Sequence, residues 1–140
     1  MQRAGKLHGA YVSGSNGLIK AAAHIGHGAI IHGATIGKNC LVGMNAVIMD
    51  EVELEDECIV GALSFIKQGE KFPSRSLIAG NPAKIIKQVS NEMIDWKTEG
   101  TKLYQQLPGQ CFQTLKSCEP LREQTEQQFI FTSSYKPFKK

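Results

Sequence analysis

No stretch of this chain approaches the roughly 20 consecutive apolar residues that a membrane-spanning helix needs. Its opening residues, Met1-Gln2-Arg3-Ala4-Gly5, lead into no apolar signal core. The expectation is a soluble cytoplasmic protein with no membrane partner. The four cysteines, at 40, 58, 111 and 118, include no CxxC pair, so neither a zinc ribbon nor a redox dithiol is indicated. A formal net charge of +3 conceals an uneven distribution: residues 1–66 carry four basic and six acidic groups, residues 67–140 twelve basic and seven acidic. The basic surplus ends in Lys136, Lys139 and Lys140, but no reading helix, stacking platform or zinc finger accompanies it. Nucleic acid is therefore not an expected partner.

The 140 residues, 41% of them hydrophobic, are enough for one folded domain. Their organising feature is a period of six. Ile30, Ile36, Val42, Ile48, Leu54, Val60 and Ile66 recur at that interval. Two positions before each of the last six stands Ala34, Cys40, Ala46, Val52, Cys58 or Ser64. A helix would need recurrence near 3.6 and a half-buried flat strand near 2, so neither element explains the pattern. A coil of short strands does, with one aliphatic residue per hexad facing an interior and one small residue at a cramped corner. Cys40 and Cys58 belong to the small column and read as compact apolar fillers.

This reading divides the chain into a repeat region over 1–72, a connector over 73–89, a helical segment over 90–118 and an irregular tail over 119–140. Within the first, Ser13-Gly14-Ser15-Asn16-Gly17 is a run of loop formers, and a loop excursion near 13–20 is expected. Carrying the frame back to Val12 and Leu18 puts a histidine at position 24, so the repeat looks degraded there. Lys67-Gln68-Gly69-Glu70-Lys71-Phe72-Pro73 reads as its exit, and Gly80-Asn81-Pro82 as a further turn. Ser90 is the predicted N-cap of a helix with Met93, Trp96, Gly100, Leu103 and Leu107 on one face, stopped by Pro108-Gly109.

The run His24-Ile25-Gly26-His27-Gly28-Ala29-Ile30-Ile31-His32-Gly33, continued by Leu41-Val42-Gly43-Met44-Asn45-Ala46-Val47-Ile48-Met49-Asp50, resembles the γ-class carbonic anhydrase family. Within it, the branch of phenylacetic acid degradation and carnitine operon accessory proteins is the most similar. Gly80-Asn81-Pro82-Ala83-Lys84, the Trp96 helix and the stretch 111–122 extend the likeness over nearly the whole chain. The resemblance implies a mainly β fold, a left-handed parallel β-helix with three hexads per coil and a C-terminal α-helix. It also implies a homotrimer binding a divalent metal between subunits, Zn with Fe or Co as possibilities, through His27, His32 and, from the sequence Leu7-His8-Gly9, His8. Placing His8 above His32 requires the loop at 13–20 to consume about six residues, because the two are 24 apart. Three neutral imidazoles leave a coordination position for water. His24 and Asn45 are candidates for the rim of such a site, and Asn45 suits a turn.

Members of the family begin with further coils that supply polar groups around the metal-bound water, and no counterpart of these stands upstream of Lys6. The expectation is a truncated, γ-carbonic-anhydrase-like metalloprotein whose small-molecule substrate is CO2/bicarbonate or acyl-CoA, in an accessory role in phenylacetate or carnitine metabolism. Two alternatives stay open: a hexapeptide acyltransferase using acyl-CoA, and a non-catalytic trimeric scaffold.

Overall fold

The structure is a computed structural model that describes residues 6–7, 11–13, 17–120 and 138. Twelve short strands wind in sequence: β1 (Lys6–Leu7), β2 (Tyr11–Ser13), β3 (Leu18–Ile19), β4 (His24–Ile25), β5 (Ile30–His32), β6 (Thr35–Ile36), β7 (Leu41–Val42), β8 (Val47–Ile48), β9 (Glu53–Leu54), β10 (Ile59–Val60), β11 (Phe65–Ile66) and β12 (Lys71–Phe72). A hairpin, β13 (Ser76–Gly80) and β14 (Ala83–Gln88), and the helix α1 (Asn91–Thr114) follow. Every third strand stacks in parallel on its predecessor, giving three faces: β1-β4-β7-β10-β13-β14, β2-β5-β8-β11 and β3-β6-β9-β12. The architecture is a parallel β-solenoid of about four turns with a C-terminal helix.

The two columns form the interior. Ile36, Val42, Ile48, Leu54, Val60 and Ile66 are buried, as are Ala34, Cys40, Ala46, Val52, Cys58 and Ser64. Backbone bonds such as Leu41 N–H to the Cys58 carbonyl (2.9 Å) and Gly43 N–H to the Val60 carbonyl (2.8 Å) tie each coil to the next. Both cysteines donate to carbonyls, Cys40 to Glu55 at 3.1 Å and Cys58 to Pro73 at 3.2 Å. The adjacent Cys58 sulfur and burial push the Cys40 thiol up, as befits a filler rather than a nucleophile.

Upstream of Ile36 the frame is shifted by one residue. Ile31 is fully buried and Ile30 is 38% exposed, so the core runs Ile25, Ile31, Ile36 with a five-residue last step. The repeat is thus displaced rather than degraded: His24 points outward and Ile25 inward. Val12 and Leu18, 39% and 41% exposed, do not belong to the core column either; Ile19 packs against it. Of the expected loop over 13–20, residues 14–16 lie outside the described residues, and on either side of them β2 and β3 pair with the next coil. Leu7 aligns with Ile25, Ser13 with His32 and Ile19 with Ile36, spacings of 17 to 19 that leave no room for a six-residue excursion. Downstream, the repeat continues beyond 66: Phe72 and Ile78 keep the same six-residue step and are buried. The connector over 73–89 is therefore a last coil and a hairpin, and Gly80-Asn81-Pro82 is its turn.

Outward residues differ from face to face. Leu41, Ile59 and Leu77 on the first face are apolar, and α1 lies over them, forming a second cluster of Ile59, Val89, Ile94 and Met93. Ser90 caps α1 as predicted, its Oγ accepting from Met93 N–H at 3.3 Å. Pro108 does not stop the helix, which runs on to Thr114; the bond that Pro108 cannot donate is lost where the helix is already solvent-exposed. The buried positions are Ile94, Lys97, Gly100 and Thr101, one step round from the apolar stripe read in the sequence.

Lys97, only 3% exposed, pins α1 to the coil corners. Its Nζ donates to the Ala22 carbonyl (2.7 Å) and to Asn39 Oδ1 (2.6 Å). Asn39 in turn donates to Thr98 Oγ1 at 3.1 Å, and Arg75 reaches Glu57 and Asn91. Among the described residues, no helix is long and apolar enough to cross a membrane. Most of the expected tail, 119–140, lies outside the described residues.

Two outcomes follow from this packing. Val42→Asp or Ile48→Asp places an unpaired carboxylate between coils, costing several kcal/mol against a total stability of about 5–15 kcal/mol. Circular dichroism should show no cooperative β transition; a variant that melts like the parent would contradict the register. For Lys97, burial lowers the ammonium to about 8, whereas in the unfolded chain it stays near its ordinary value. Between those two values the unfolded chain binds more protons, so this group's contribution to stability rises with pH through that window. The parent's melting temperature relative to that of Lys97→Met should therefore rise from about pH 8 to about pH 10. A constant gap would show that Lys97 is solvated.

Candidate functional site

From Ala22 onward, each solenoid corner is closed by a residue with positive φ. At the corner before β5 this places His27 and Gly28 outside the coil, with Asn45 directly beneath on the next one. Asn45, at φ 55, gives its N–H to the His27 carbonyl at 2.9 Å, which fits the turn role expected of it. At the other end of β5, His32 projects outward and Gly33 turns the chain with φ +60. A side chain on Gly33 would collide with the Asp50 carboxylate. That space is needed because Asp50 Oδ2 lies 2.7 Å from His32 Nδ1.

The pair has a definite chemical consequence. A carboxylate accepting from Nδ1–H fixes the imidazole tautomer and turns a lone pair on Nε2 toward the exterior. Such an imidazole can serve as a metal ligand or as a general base. His27 and His32 thus flank the same strand on the outside of the solenoid. Between and below them the outward column of the second face is Ile30, Val47 and Phe65, all apolar and none covered by α1. On the third face the outward column is Leu18, then Thr35, Glu53 and Lys71, with Lys71 and Glu53 paired at 2.8 Å, as suits a solvated surface below Leu18.

His24 stands on the first face, its ring edge-on to Tyr104 of α1 with centroids 5.0 Å apart. Among the described residues, no three His, Cys, Asp or Glu side chains of one chain come together as a metal-ligand set. His8 lies outside the described residues. The strand register nevertheless removes the count that placed it over His32, because the residue stacked on His32 is Ser13. Trp96 packs its ring against Phe138 at 5.9 Å.

Comparison with known proteins matches residues 33–68 to the family described as bacterial transferase hexapeptide (six repeats). The chain belongs to the hexapeptide-repeat family. It is 48% identical over 103 residues to the carnitine operon protein CaiE of Escherichia coli O7:K1, an alignment covering 74% of this chain and 53% of that protein. It therefore spans about half the length of the curated relatives it matches. A hexapeptide transferase family protein from Anaplasma phagocytophilum shares the fold, with a TM-score of 0.60 at 23% identity over 74% of this chain and 75% of that one. A mutant of perosamine N-acetyltransferase from Caulobacter crescentus, solved with CoA and GDP-perosamine, has a TM-score of 0.53 at 26% identity over 59% of this chain and 38% of that one.

For this hexapeptide-repeat chain, sequence reasoning missed Asp50 as the partner of His32. The signal was present: the two are 18 apart, the span of a coil. It became usable only once the coil length was known. The expected measurement is an NMR spectrum of the ring nitrogens, in which neutral His32 carries its proton on Nδ1. Asp50→Ala should shift the population toward the Nε2–H form; an unchanged tautomer would show that the carboxylate does not control the ring.

Proposed function

We propose that this chain is a γ-carbonic-anhydrase-like metalloprotein whose site acts on the carbonyl of a CoA thioester or on CO2, in an accessory role in carnitine or phenylacetate metabolism. The single observation behind the reading is the His32–Asp50 pair at the edge of an uncovered apolar face. Among the described residues, one chain does not provide three convergent ligands. The chemistry of its donors fits a metal all the same: an exposed His27, and His32 with its Nδ1 held by a carboxylate, as ligand imidazoles in metal sites are held. The apolar column Ile30, Val47 and Phe65 is the surface through which copies would pack as a homotrimer. Packing there would bring histidines of different copies together and bury the face.

A bound Zn, Fe or Co ion supplies hydroxide at neutral pH by lowering the pKa of its water. The chain's own residues do the rest. Asp50 fixes the orientation of His32 and strengthens it as a donor. His27 contributes an imidazole from the opposite end of β5. The apolar face keeps bulk water from the site. With a thioester, the oxygen of water adds to the carbonyl carbon and the C–S bond breaks, leaving a carboxylic acid and a thiol.

A second reading is acyl transfer from acyl-CoA, favoured by the likeness to an N-acetyltransferase solved with CoA. There the Asp50-oriented His32 removes the proton from the acceptor as the acceptor attacks the thioester carbonyl, and the C–S bond breaks to release CoA, whose sulfur takes that proton. Metal content separates the two. Elemental analysis and solution mass should give stoichiometric metal in a particle of about three chains. His27→Ala and His32→Ala should each lose most of it, His24→Ala should keep it, and Asp50→Asn should weaken metal affinity about 10–100-fold. A metal-free parent that transfers acyl groups would favour the second reading, and a monomer would end the shared-site proposal.

A further inference from the structure

Between α1 and the corners that follow β4 and β7 lies a cavity of about 280 Å³. Its floor is coil backbone brought close by glycine: a Cβ on Gly26 would lie 2.7 Å from the Met44 nitrogen. Leu41, Met44 and Ala62 give it apolar walls, Tyr104 of α1 closes one side, and His24 and His27 stand at its polar end. The cavity lies where the helix-covered face meets the uncovered apolar one, so it reaches the proposed site through His27. It is smaller than the roughly 300–1,000 Å³ typical of pockets for whole drug-sized ligands. Its size and apolar lining suit a short aliphatic chain. Met44 and Leu63, both well exposed at this edge, extend an apolar lip outward from it.

We propose that this cavity is an acyl pocket, taking the aliphatic chain of a thioester whose carbonyl lies beside His27. The inference rests on the thioester reading above and adds the substrate class: unbranched, uncharged acyl groups, selected by length. Ala62 and Tyr104 are its specificity-determining residues. Ala62 forms an exposed wall of the pocket, and Tyr104 holds the helix-side wall against His24. Neither lies in the solenoid core, so both can be changed without disturbing the coils.

The test is calorimetric binding of S-alkyl pantetheine thioethers, from ethyl to octyl, to the full chain before and after chelator treatment. Burial of each added methylene should improve affinity by about fourfold until the cavity is filled. Ala62→Phe, with a melting temperature equal to the parent's, should abolish that dependence. Tyr104→Ala should reduce the gain per methylene. Affinity independent of chain length, undetectable binding of the whole series, or an Ala62→Phe variant with the parent's dependence would each overturn the pocket. The length dependence should survive chelation, so a chain that proves metal-free yet still selects by length would end the metal reading and leave the acyl pocket standing.

Discussion

Coil-on-coil stacking about one interior column is the interaction on which the rest of this molecule depends. Each strand from β1 to β12 is only two or three residues long, far too short to persist alone. It is held by backbone bonds to the coils above and below and by an aliphatic side chain resting on its equivalents. Stability in such a structure is a sum over neighbouring coils, and the position of every outward group follows from the inward one. Moving the core from Ile30 to Ile31 turns Ile30 outward onto the apolar face and leaves His32 outward at the strand's end.

Given that interior, the three outer faces diverge by chemistry. An apolar column draws α1 onto the first, a polar and charged column leaves the third to water, and the second keeps Ile30, Val47 and Phe65 uncovered. The helix is set at a fixed height as well as pressed against the face. Lys97, Asn39, Thr98, Arg75 and Asn91 tie it to successive corners, and Tyr104 reaches His24 near its upper part. Burying the Lys97 ammonium costs desolvation, which its two acceptors offset in part. What results is a cavity wall whose position is determined by the coil corners.

The candidate chemistry depends on the same stacking. His32 would be an ordinary exposed imidazole without Asp50, and Asp50 reaches it only because adjacent coils lie within hydrogen-bonding distance and Gly33 leaves room for the carboxylate. His27, by contrast, is placed by the corner itself, with Asn45 beneath it. The two ends of β5 therefore present histidines of different character on one edge of an apolar surface.

The six-residue columns from Ile36 to Ile66, the cysteines as fillers, the Ser90 cap and the presence of a C-terminal helix were legible in the amino-acid order, because each rests on interactions within a few residues or on strict periodicity. The phase upstream of Ile36 was not. Ile30 and Ile31 are adjacent and equally apolar, so either could have faced inward, and only pairing with Val47 and Ile48 decides it. Ser13-Gly14-Ser15-Asn16-Gly17 looks like a loop by composition, yet the strands on either side of 14–16 lie in register with the coil below. Lys97 was hidden because a long cationic side chain ordinarily points to water, and its burial depends on acceptors at Ala22 and Asn39, far away in sequence. Local order and period thus determined the kind of fold; which side chains meet across coils and across the helix, and so where chemistry can occur, was decided by long-range stacking that no local pattern encodes.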